Sequence, residues 1–400
     1  MDAKAYRRCL LGNYAAPDLA IVRGEGSRVW DDVGREYLDM GAGIAVSSLG
    51  HAHPKWVKAV SEQAATLAHC TNLYAIPPQA ELAERLVSKA ASGKMLFCNS
   101  GAEANETLLK LARLHGRRKS GEEGKVFRVV CAEDGFHGRT FGGMSATGQD
   151  KIRQGFAPLV DGFSFARLND LDDFREKCTD ETAAVLVEPI QGESGIREAE
   201  DDFLRGLRQL CDERDALLML DEVQCGMGRT GDFFAFERSG IQPDAIAMAK
   251  GLGGGFPIGA AWVGETHADL FEPGSHGSTF GGGPIACRAA LSVLDVIEEE
   301  DLLTLVKERG AWFRERLDGV AAAHPEVISG TRGRGFMLGL EMRIPGSAFV
   351  NELRGRGLLT IPAGGEIVRF LPPLNVSCDD LGKAVEIVQS AAEEWNLKAD

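Results

Sequence analysis

Short apolar runs alternate along the chain with longer stretches in which apolar residues recur at helical spacing. Each short run ends in polar residues or glycine, which is typical of strands buried on both faces of a parallel sheet. The runs predict strands at 94–99, 126–131, 184–187, 216–220 and 245–249. A strand, a loop and a helix therefore repeat, and this order predicts a doubly wound α/β sheet with its site at the C-terminal ends of the strands.

The N-terminal part has a different pattern. Residues 28–39 read as two short strands around Val33-Gly34, which predicts a hairpin. The small, apolar segment 41–46 is either threaded between domains or subunits, or is a plain connecting loop. Helical spacing follows at 54–68 and 78–91.

A smaller α+β pattern replaces the doubly wound pattern after about residue 300. A helix predicted at 285–297 precedes the change. Beyond residue 300 the spacing predicts a helix, strands at 335–342 and 366–373, and helices at 346–355 and 378–396. We therefore predict three parts of the chain. They are an N-terminal arm and hairpin at 1–50 that packs with the small domain, a large domain at 51–298, and a small α+β domain at 299–400.

The composition is that of a globular protein with a large core, since 44% of the 400 residues are hydrophobic and 26% are charged. A net charge of −15 argues against a nucleic-acid or anionic-membrane partner. No run reaches the roughly 20 apolar residues of a membrane helix, and residues 1–11 lack the apolar core of a secretion signal. None of the nine cysteines forms a CxxC pair, so we expect reduced thiols in a cytoplasmic protein. No metal site is expected, because His51-Ala52-His53-Pro54 has no further ligand at suitable spacing.

Two of the predicted strands end in residues with acid–base chemistry. Asp221 follows the run 216–220, and Lys250, with a glycine-rich stretch behind it, follows the run 245–249. Pyridoxal phosphate chemistry needs such a pair, because a lysine amine bonds to the cofactor and an acid keeps the pyridine nitrogen protonated. Either residue alone is more often an ordinary loop or cap residue, so the other motifs decide the interpretation.

Two further loops could bind such a cofactor. Ser100-Gly101 joins a strand to a helix, where free N–H groups and the helix dipole favour a phosphate, although Ser-Gly also simply caps helices. In the next loop, Phe136 can stack on a flat ring and Arg139 can bind a carboxylate through two hydrogen bonds. The local sequence alone also fits an ordinary surface loop with one phenylalanine turned inward.

Six segments occur in the order found in the class III pyridoxal-phosphate aminotransferases, and the chain resembles this family from about Asn13 to its C-terminal helix. The segments are 100–106 (SGAEANE), 136–140 (FHGRT), 188–193 (EPIQGE), 221–224 (DEVQ), 250–255 (KGLGGG) and 277–280 (GSTF). Within the family, the acetylornithine aminotransferases are resembled most at 43–46 (GIAV), 49–54 (LGHAHP), 72–74 (NLY) and 368–374 (VRFLPPL). The resemblance implies fold type I, pyridoxal 5'-phosphate as cofactor, and transfer of a terminal amino group to 2-oxoglutarate.

The resemblance also implies roles for single residues. Lys250 is the Schiff-base lysine, Asp221 pairs with the pyridine nitrogen, and Gln224 pairs with the ring hydroxyl. The other implied cofactor contacts are Ser100, Gly101, Ala102, Phe136, Glu222, Val223 and Thr279. Thr279 would reach the phosphate from a partner subunit, so a homodimer with shared active sites is expected.

Substrate contacts are implied at four positions. Arg139, with Ser278 beside it, would bind the carboxylate of the acylated donor. Arg369 would bind the carboxylate of glutamate or 2-oxoglutarate. Glu193 would pair with Arg369 when the other substrate is present, because a bare buried charge costs several kcal/mol. A fixed structural ion pair is the alternative.

The sequence also fits other donors and other functions. The donor could be ornithine, succinylornithine, succinyl-diaminopimelate or 4-aminobutyrate; the presence of only four tyrosines favours an acylated donor, because a free α-ammonium needs an anionic or phenolic partner. An aminomutase needs no external acceptor, so Arg139 and Arg369 argue against it, and a cofactor-free binding protein would be expected to lack Lys250 or Asp221. Three residues depart from the commonest family pattern without removing a catalytic atom: Ser47, Ser194 and Cys225.

Overall fold

The computed structural model describes residues 6, 8–15 and 17–399, and for 396–399 it describes the backbone alone. Residues 1–5, 7 and 16 of the predicted arm and residue 400 of the predicted small domain lie outside the described residues. In chain order the strands are β1 (Ile21–Glu25), β2 (Arg28–Asp31), β3 (Glu36–Asp39), β4 (Gly93–Cys98), β5 (Arg128–Ala132), β6 (Phe163–Ala166), β7 (Thr182–Val187), β8 (Ile190–Gln191), β9 (Arg197–Glu198), β10 (Leu217–Asp221), β11 (Ala245–Met248), β12 (Gly259–Gly264), β13 (Ile328–Arg334), β14 (Met337–Met342), β15 (Leu358–Leu359), β16 (Ile361–Ala363) and β17 (Ile367–Phe370).

The helices alternate with these strands. They are α1 (Pro54–Thr66), α2 (Pro77–Ala90), α3 (Gly101–Ser120), α4 (Phe141–Ala146), α5 (Asp150–Arg153), α6 (Leu171–Lys177), α7 (Asp201–Arg214), α8 (Pro284–Glu299), α9 (Leu302–Ala323), α10 (Gly346–Gly355) and α11 (Cys378–Ala399), with 3₁₀ turns at Ala235–Ser239 and Lys250–Leu252. None of the helices in the described part of the chain is long and apolar enough to span a membrane.

A seven-stranded sheet in the order β4-β12-β11-β10-β7-β5-β6 positions the site. Its strands are parallel except β12, which runs antiparallel to both neighbours. Alternate residues of β10 pack on opposite sides: Leu218 lies in a core with α7, and Met219 in a core with α3. Helices on both faces bury β7, β10 and β11 completely, which explains their continuous apolar runs.

The predicted α/β class, with a mostly parallel doubly wound sheet, is confirmed. Two strands of this sheet were not predicted: β6, a four-residue strand at the edge, and β12, whose small residues and two terminal glycines give a weak strand signal. Insertion of β12 between β11 and β4 brings the Lys250 turn and the start of α3 to the same edge of the sheet.

The N-terminal hairpin packs against the C-terminal part of the chain. In the hairpin sheet, β15 pairs in parallel with β3, so that Leu358 lies opposite Leu38. Leu38 also belongs to the core around Phe313 and Phe370, which supports the second large sheet, β13-β14-β17-β16. The domain boundaries themselves remain predictions.

The segment after the hairpin has an unusual backbone. Residues 42–45 all have positive φ angles, of 44°, 63°, 63° and 62°, and form a left-handed turn. The chain at this point lies between the Lys250 turn and the residues that follow β17. Just after the segment, Ser48 Oγ donates to the Gly251 carbonyl on one side, and the Ser48 carbonyl accepts from the Leu374 N–H on the other. The structure therefore favours the threaded interpretation of 41–46 over a plain loop.

Candidate active site

A cavity of about 400 Å³ opens at the C-terminal ends of the central strands. Of the predicted site residues, those that line it are Ser100, Gly101, Ala102, Phe136, Arg139, Glu193, Asp221, Val223, Gln224 and Lys250. They come from the ends of five strands and are far apart in sequence. The cavity lies where ligands bind in open α/β sheets.

Asp221 is held rigidly at the floor of the cavity. Only 3% of the residue is exposed, and its Oδ2 accepts hydrogen bonds from Asn105 Nδ2 at 2.7 Å and His137 Nδ1 at 2.9 Å. Its Oδ1 accepts from the Val223 N–H at 3.0 Å. Three donors fix the carboxylate orientation, which suits it to pair with a single N–H group in the cavity.

His137 is paired with Asp221 beneath the cavity. Burial by itself disfavours the charged ring, but the hydrogen bond and attraction to Asp221, together with Glu188, raise the pKa of His137 above its ordinary value. The His137 side chain is fully buried. Nδ1 of the ring therefore carries a proton and donates a hydrogen bond to Asp221.

Lys250 begins a 3₁₀ turn directly after β11, with a φ of 43°. Burial lowers the pKa of Lys250, and Arg369 lowers it further, while Glu193 and Asp221 act in the opposite direction. A lowered amine pKa leaves more of the neutral form, which is nucleophilic and can accept a proton. An amine with a depressed pKa in a cavity is a candidate functional group.

The start of α3 forms the opposite end of the cavity. Ser100 is the N-cap, and its Oγ accepts from the Glu103 N–H at 3.2 Å. The N–H groups of Gly101 and Ala102 belong to the first turn, where helices lack internal acceptors. A Cβ at Gly101 would lie 2.7 Å from Val223, so glycine permits the close approach. This end of the cavity suits an anionic group.

Arg369 lies behind the cavity wall rather than in it. It is fully buried and donates to Glu193 Oε1 at 2.9 Å, to Gln224 Oε1 at 2.8 Å and to the Gly192 carbonyl at 2.9 Å. Burial alone would raise the pKa of Glu193, but attraction and hydrogen bonding to Arg369 hold it below its ordinary value. In this structure Glu193 covers the guanidinium from the cavity side.

Arg139 and the glycine-rich loop occupy the rim. Arg139 is exposed, and its guanidinium carbon lies 5.8 Å from the centre of the Phe136 ring. Thr279 is exposed and does not line the cavity of its own chain. Ser278 does not line the cavity itself. Its Oγ accepts a hydrogen bond from Asn99 Nδ2 at 3.2 Å, and Asn99 lines the cavity.

Glu222 is not part of the cavity, so the predicted direct contact with a cofactor is wrong. Its carboxylate accepts from the N–H groups of Ala235 and Phe236, both at 3.0 Å, and from the Cys225 thiol at 3.2 Å. The carboxylate faces away because successive residues leave a strand on opposite sides. Burial raises the pKa of Glu222 to about 7. Its contacts anchor the 3₁₀ turn that follows β10.

Three further residues of the site, Asn105, His137 and Glu188, lie within the sequence motifs, but no role was predicted for them. Glu188 accepts from the Phe136 N–H at 2.9 Å, and burial raises its pKa to about 7. A usable signal was present for Asn105, a polar residue on the apolar face of a helix. Buried polar groups of this kind need partners, and here the partner is Asp221.

The cavity thus brings together a buried carboxylate, an amine and a helix N-terminus. The sequence of the chain that forms it matches a known family over nearly its whole length. The model of the "Aminotransferase class-III" family matches residues 12–392. The chain belongs to the class III aminotransferases.

Individual proteins agree with this family assignment. The chain is 44% identical over 389 residues to the acetylornithine aminotransferase of Caldanaerobacter subterraneus subsp. tengcongensis, covering 97% of this chain and 98% of the relative. The N-acetylornithine aminotransferase structure from Stenotrophomonas maltophilia superposes with a TM-score of 0.84 at 34% identity, covering 96% and 98% of the two chains. An ornithine aminotransferase structure from Toxoplasma gondii, with PLP at partial occupancy in its active site, gives 0.93 at 30% identity, covering 97% and 93%.

Proposed function

We propose that this class III aminotransferase moves the terminal amino group of N2-acetyl-L-ornithine to 2-oxoglutarate. The products are N-acetyl-L-glutamate 5-semialdehyde and L-glutamate, and the reaction serves arginine biosynthesis. The observation that carries the proposal is that Lys250 and Asp221 line one cavity together with the start of α3. The choice of donor is supported by the acetylornithine aminotransferase that matches the chain over 97% of its length.

The residues around the cavity fit pyridoxal 5'-phosphate. Asp221 would hold the pyridine N–H, because its orientation is fixed by three donors. Phe136 and Val223 would lie on the two faces of the ring, and Gln224 would bind the ring hydroxyl. Ser100, Gly101 and Ala102 would bind the phosphate at the start of α3. When bound, the cofactor supplies an aldehyde that bonds to amines and an electron-poor ring that stabilises negative charge on the adjacent carbon.

Lys250 has two roles in this proposal. Its amine would bond to the aldehyde of the cofactor, and, once released by the donor amine, it would take a proton from the reacting carbon and pass it to the cofactor. The lowered pKa of Lys250 supports both roles, because each requires the neutral amine. Asp221 would keep the pyridine nitrogen protonated, and His137, whose Nδ1 lies 2.9 Å from Asp221 Oδ2, holds that carboxylate in position.

Two carboxylate-binding groups accommodate two different substrates. Arg139 at the exposed rim would bind the carboxylate far from the reacting amine of acetylornithine. Arg369 would bind the carboxylate beside the reacting carbon of glutamate, after Glu193 moves away. Gln224 supports this movement, because it bonds to both members of the pair and retains Arg369 when Glu193 leaves.

The positions of the tyrosines favour an acylated donor over ornithine. A free α-ammonium needs an anionic or phenolic partner, and none of Tyr6, Tyr14, Tyr37 and Tyr74 lines the cavity of the chain. Tyr37 is buried and donates to Asp31 at 3.0 Å. An acetyl group removes the charge, so no such partner is required.

The proposal includes a homodimer in which Thr279 contacts the phosphate in the partner's site. Leu73, Tyr74 and Phe280 are 86%, 71% and 66% exposed in the single chain, a cluster of large apolar side chains that a subunit contact would cover. Asn72 Nδ2 donates to the carbonyls of Ser278 and Gly281 at 3.1 and 3.0 Å, so these segments are fixed to each other. We also propose a cytoplasmic location, supported by cysteines that are all free thiols.

A donor panel tests the proposed function. Purified protein with added pyridoxal phosphate and 2-oxoglutarate is supplied with N2-acetyl-L-ornithine, L-ornithine, succinylornithine, succinyl-diaminopimelate or 4-aminobutyrate, and glutamate is measured. We expect the highest kcat/KM for acetylornithine, and none for any donor in Lys250→Ala. A higher kcat/KM for ornithine or 4-aminobutyrate would refute the donor assignment, and no glutamate from any donor would refute the transaminase.

A further inference from the structure

Ser48 lies outside every motif used above and does not line the cavity, yet it touches the turn that carries Lys250. We infer that Ser48 is a positioning residue for Lys250: its hydroxyl sets the conformation of the lysine turn and couples it to the segment that follows Arg369. The inference rests on the proposed role of Lys250 as the amine that bonds to the cofactor.

Ser48 bridges two parts of the protein with its own atoms. Only 1% of the residue is exposed. Its Oγ donates to the Gly251 carbonyl at 2.9 Å, one residue after Lys250. Its backbone carbonyl accepts from the Leu374 N–H at 2.7 Å, five residues after Arg369 in the same C-terminal segment. The lysine turn and the Arg369 segment are therefore held by one residue.

The lysine turn needs such an external contact. Lys250 has a φ of 43°, in the left-handed region that residues other than glycine rarely adopt. The 3₁₀ turn itself supplies two short-range bonds, from the Leu252 N–H to the Ala249 carbonyl at 2.9 Å and from the Gly253 N–H to the Lys250 carbonyl at 3.1 Å. Unfavourable backbone conformations persist only where the surroundings hold them. The Ser48 hydroxyl is a side-chain contact that acts on the Gly251–Leu252 peptide within this turn.

The segment that carries Ser48 is itself held firmly in place. It follows the left-handed turn of residues 42–45, which is unfavourable for the non-glycine residues in it. The Leu371 N–H donates to Met40 at 2.6 Å before this turn, and the Leu374 N–H donates to Ser48 after it. Because both ends are fixed to the C-terminal segment, the Ser48 hydroxyl has a defined position relative to Gly251.

Removal of the hydroxyl should change the reactivity of the lysine. Ser48→Ala leaves the buried Gly251 carbonyl without this donor, and an unsatisfied buried carbonyl favours rotation of its peptide. This carbonyl belongs to the peptide between Gly251 and Leu252, so its rotation reaches Lys250 through the backbone of Gly251 and changes the direction of the lysine side chain. We expect cofactor binding to weaken by about tenfold, the effect of losing one buried hydrogen bond.

Ser48→Ala and the matched control Ser292→Ala test the inference. Ser292 is also buried, at 4% exposed, and its Oγ donates to the Ala289 carbonyl at 2.7 Å, but it lies within α8. The measurements are the dissociation constant of pyridoxal phosphate, the pH midpoint of the absorbance change of the bound cofactor, and the midpoint of thermal unfolding. Should Ser48→Ala not yield folded protein, Ser48→Cys retains the side-chain volume with a weaker donor, and the same comparison applies.

Both outcomes are decisive. We expect Ser48→Ala to weaken cofactor binding and to shift the pH midpoint, while Ser292→Ala changes only thermal stability. Equal behaviour of the two variants in binding and pH midpoint, whatever their unfolding temperatures, would overturn the inference. Wild-type protein is first checked for a cofactor bonded to Lys250: if that check fails, the proposed function falls and this inference with it, whereas equal variants after a positive check overturn this inference alone.

Discussion

The Nδ1 of His137 lies 2.9 Å from Oδ2 of Asp221, and neither side chain is more than 4% exposed. The same oxygen also accepts from Asn105, on a different element. A loop and a helix thus converge on the Asp221 carboxylate, which lines the cavity. Asp221 is therefore positioned before any ligand binds, which is how a site avoids reorganisation during reaction.

His137→Ala should impair the reaction even though His137 is separated from the substrate by Asp221. Loss of one charge-assisted hydrogen bond to a buried carboxylate costs about 1–3 kcal/mol, so kcat should fall by roughly 5- to 150-fold. The matched variant Asn105→Ala removes the other donor to the same oxygen, and its kcat should fall by a similar factor. Steady-state kinetics with saturating cofactor measures both. Wild-type kcat in His137→Ala would show that the pair has no role in positioning Asp221.

Glu193→Ala should separate the two half-reactions. If Glu193 covers Arg369 until glutamate binds, its removal leaves Arg369 open, so that glutamate competes more strongly and the donor half-reaction slows. Single-turnover rates for acetylornithine and for glutamate should change in ratio by about tenfold, the effect of 1.4 kcal/mol. An unchanged ratio would identify the pair as a fixed structural ion pair.

Glu222 should make the protein less stable as pH rises from about 4.5 to 7. Its folded pKa of about 7 is above the ordinary value of 4.5, so the folded protein binds more protons in this window. The stabilisation is complete below pH 4.5 and is lost as pH rises through 7. At 1.36 kcal/mol per unit the loss is roughly 3 kcal/mol.

The variant Glu222→Gln checks this pH dependence. An amide does not titrate, so the Glu222 contribution to the slope of unfolding free energy against pH should disappear. Because the amide NH₂ cannot accept, one of the bonds from Ala235 and Phe236 is lost, at about 1 kcal/mol at all pH values. Chemical unfolding at pH 5 and pH 7 measures both effects. A slope equal to that of the wild type would exclude Glu222 as its source.

Arg229→Met should destabilise the contact between the two large sheets. Arg229 is 2% exposed and donates to the carbonyls of Phe336 and Pro372, beside β14 and β17. Burial lowers its pKa to about 9. Methionine fills similar space but leaves both carbonyls unpaired, which should cost about 1–3 kcal/mol of unfolding free energy.

A surface arginine provides the comparison for Arg229. Arg175 forms an exposed ion pair with Asp172 at 2.9 Å, and such pairs contribute little. Arg175→Met should therefore leave the unfolding free energy nearly unchanged. Equal losses in the two variants would mean that the Arg229 contacts do not stabilise the junction.

The sequence predicted the central sheet well because its strands are continuous apolar runs with polar ends. The five predicted strands match β4, β5, β7, β10 and β11 to within about two residues. The short edge strand β6 and the weakly apolar β12 were missed. The left-handed turn at 42–45 was also missed, since no local rule predicts a run of positive φ angles in Ala, Ile and Gly. Such a turn depends on contacts with residues more than 300 positions away.

Site residues were predictable where a motif marks a strand end, as at Asp221 and Lys250. Position in a motif did not reveal side-chain direction, so Glu222 was assigned to the cavity although it faces the opposite side of β10. The sequence also could not reveal that His137 and Asn105 share one oxygen of Asp221, because that contact joins three separate elements. The cofactor and substrate roles themselves remain predictions.

The most direct test of the account is to find which side chain bonds to the cofactor. Wild-type protein incubated with pyridoxal phosphate is reduced with borohydride, digested and mapped by mass spectrometry, with Lys250→Ala as the control. The account predicts a reduced phosphopyridoxyl group on Lys250 and none in the variant. A label on any other lysine, or none in the wild-type protein, would contradict it.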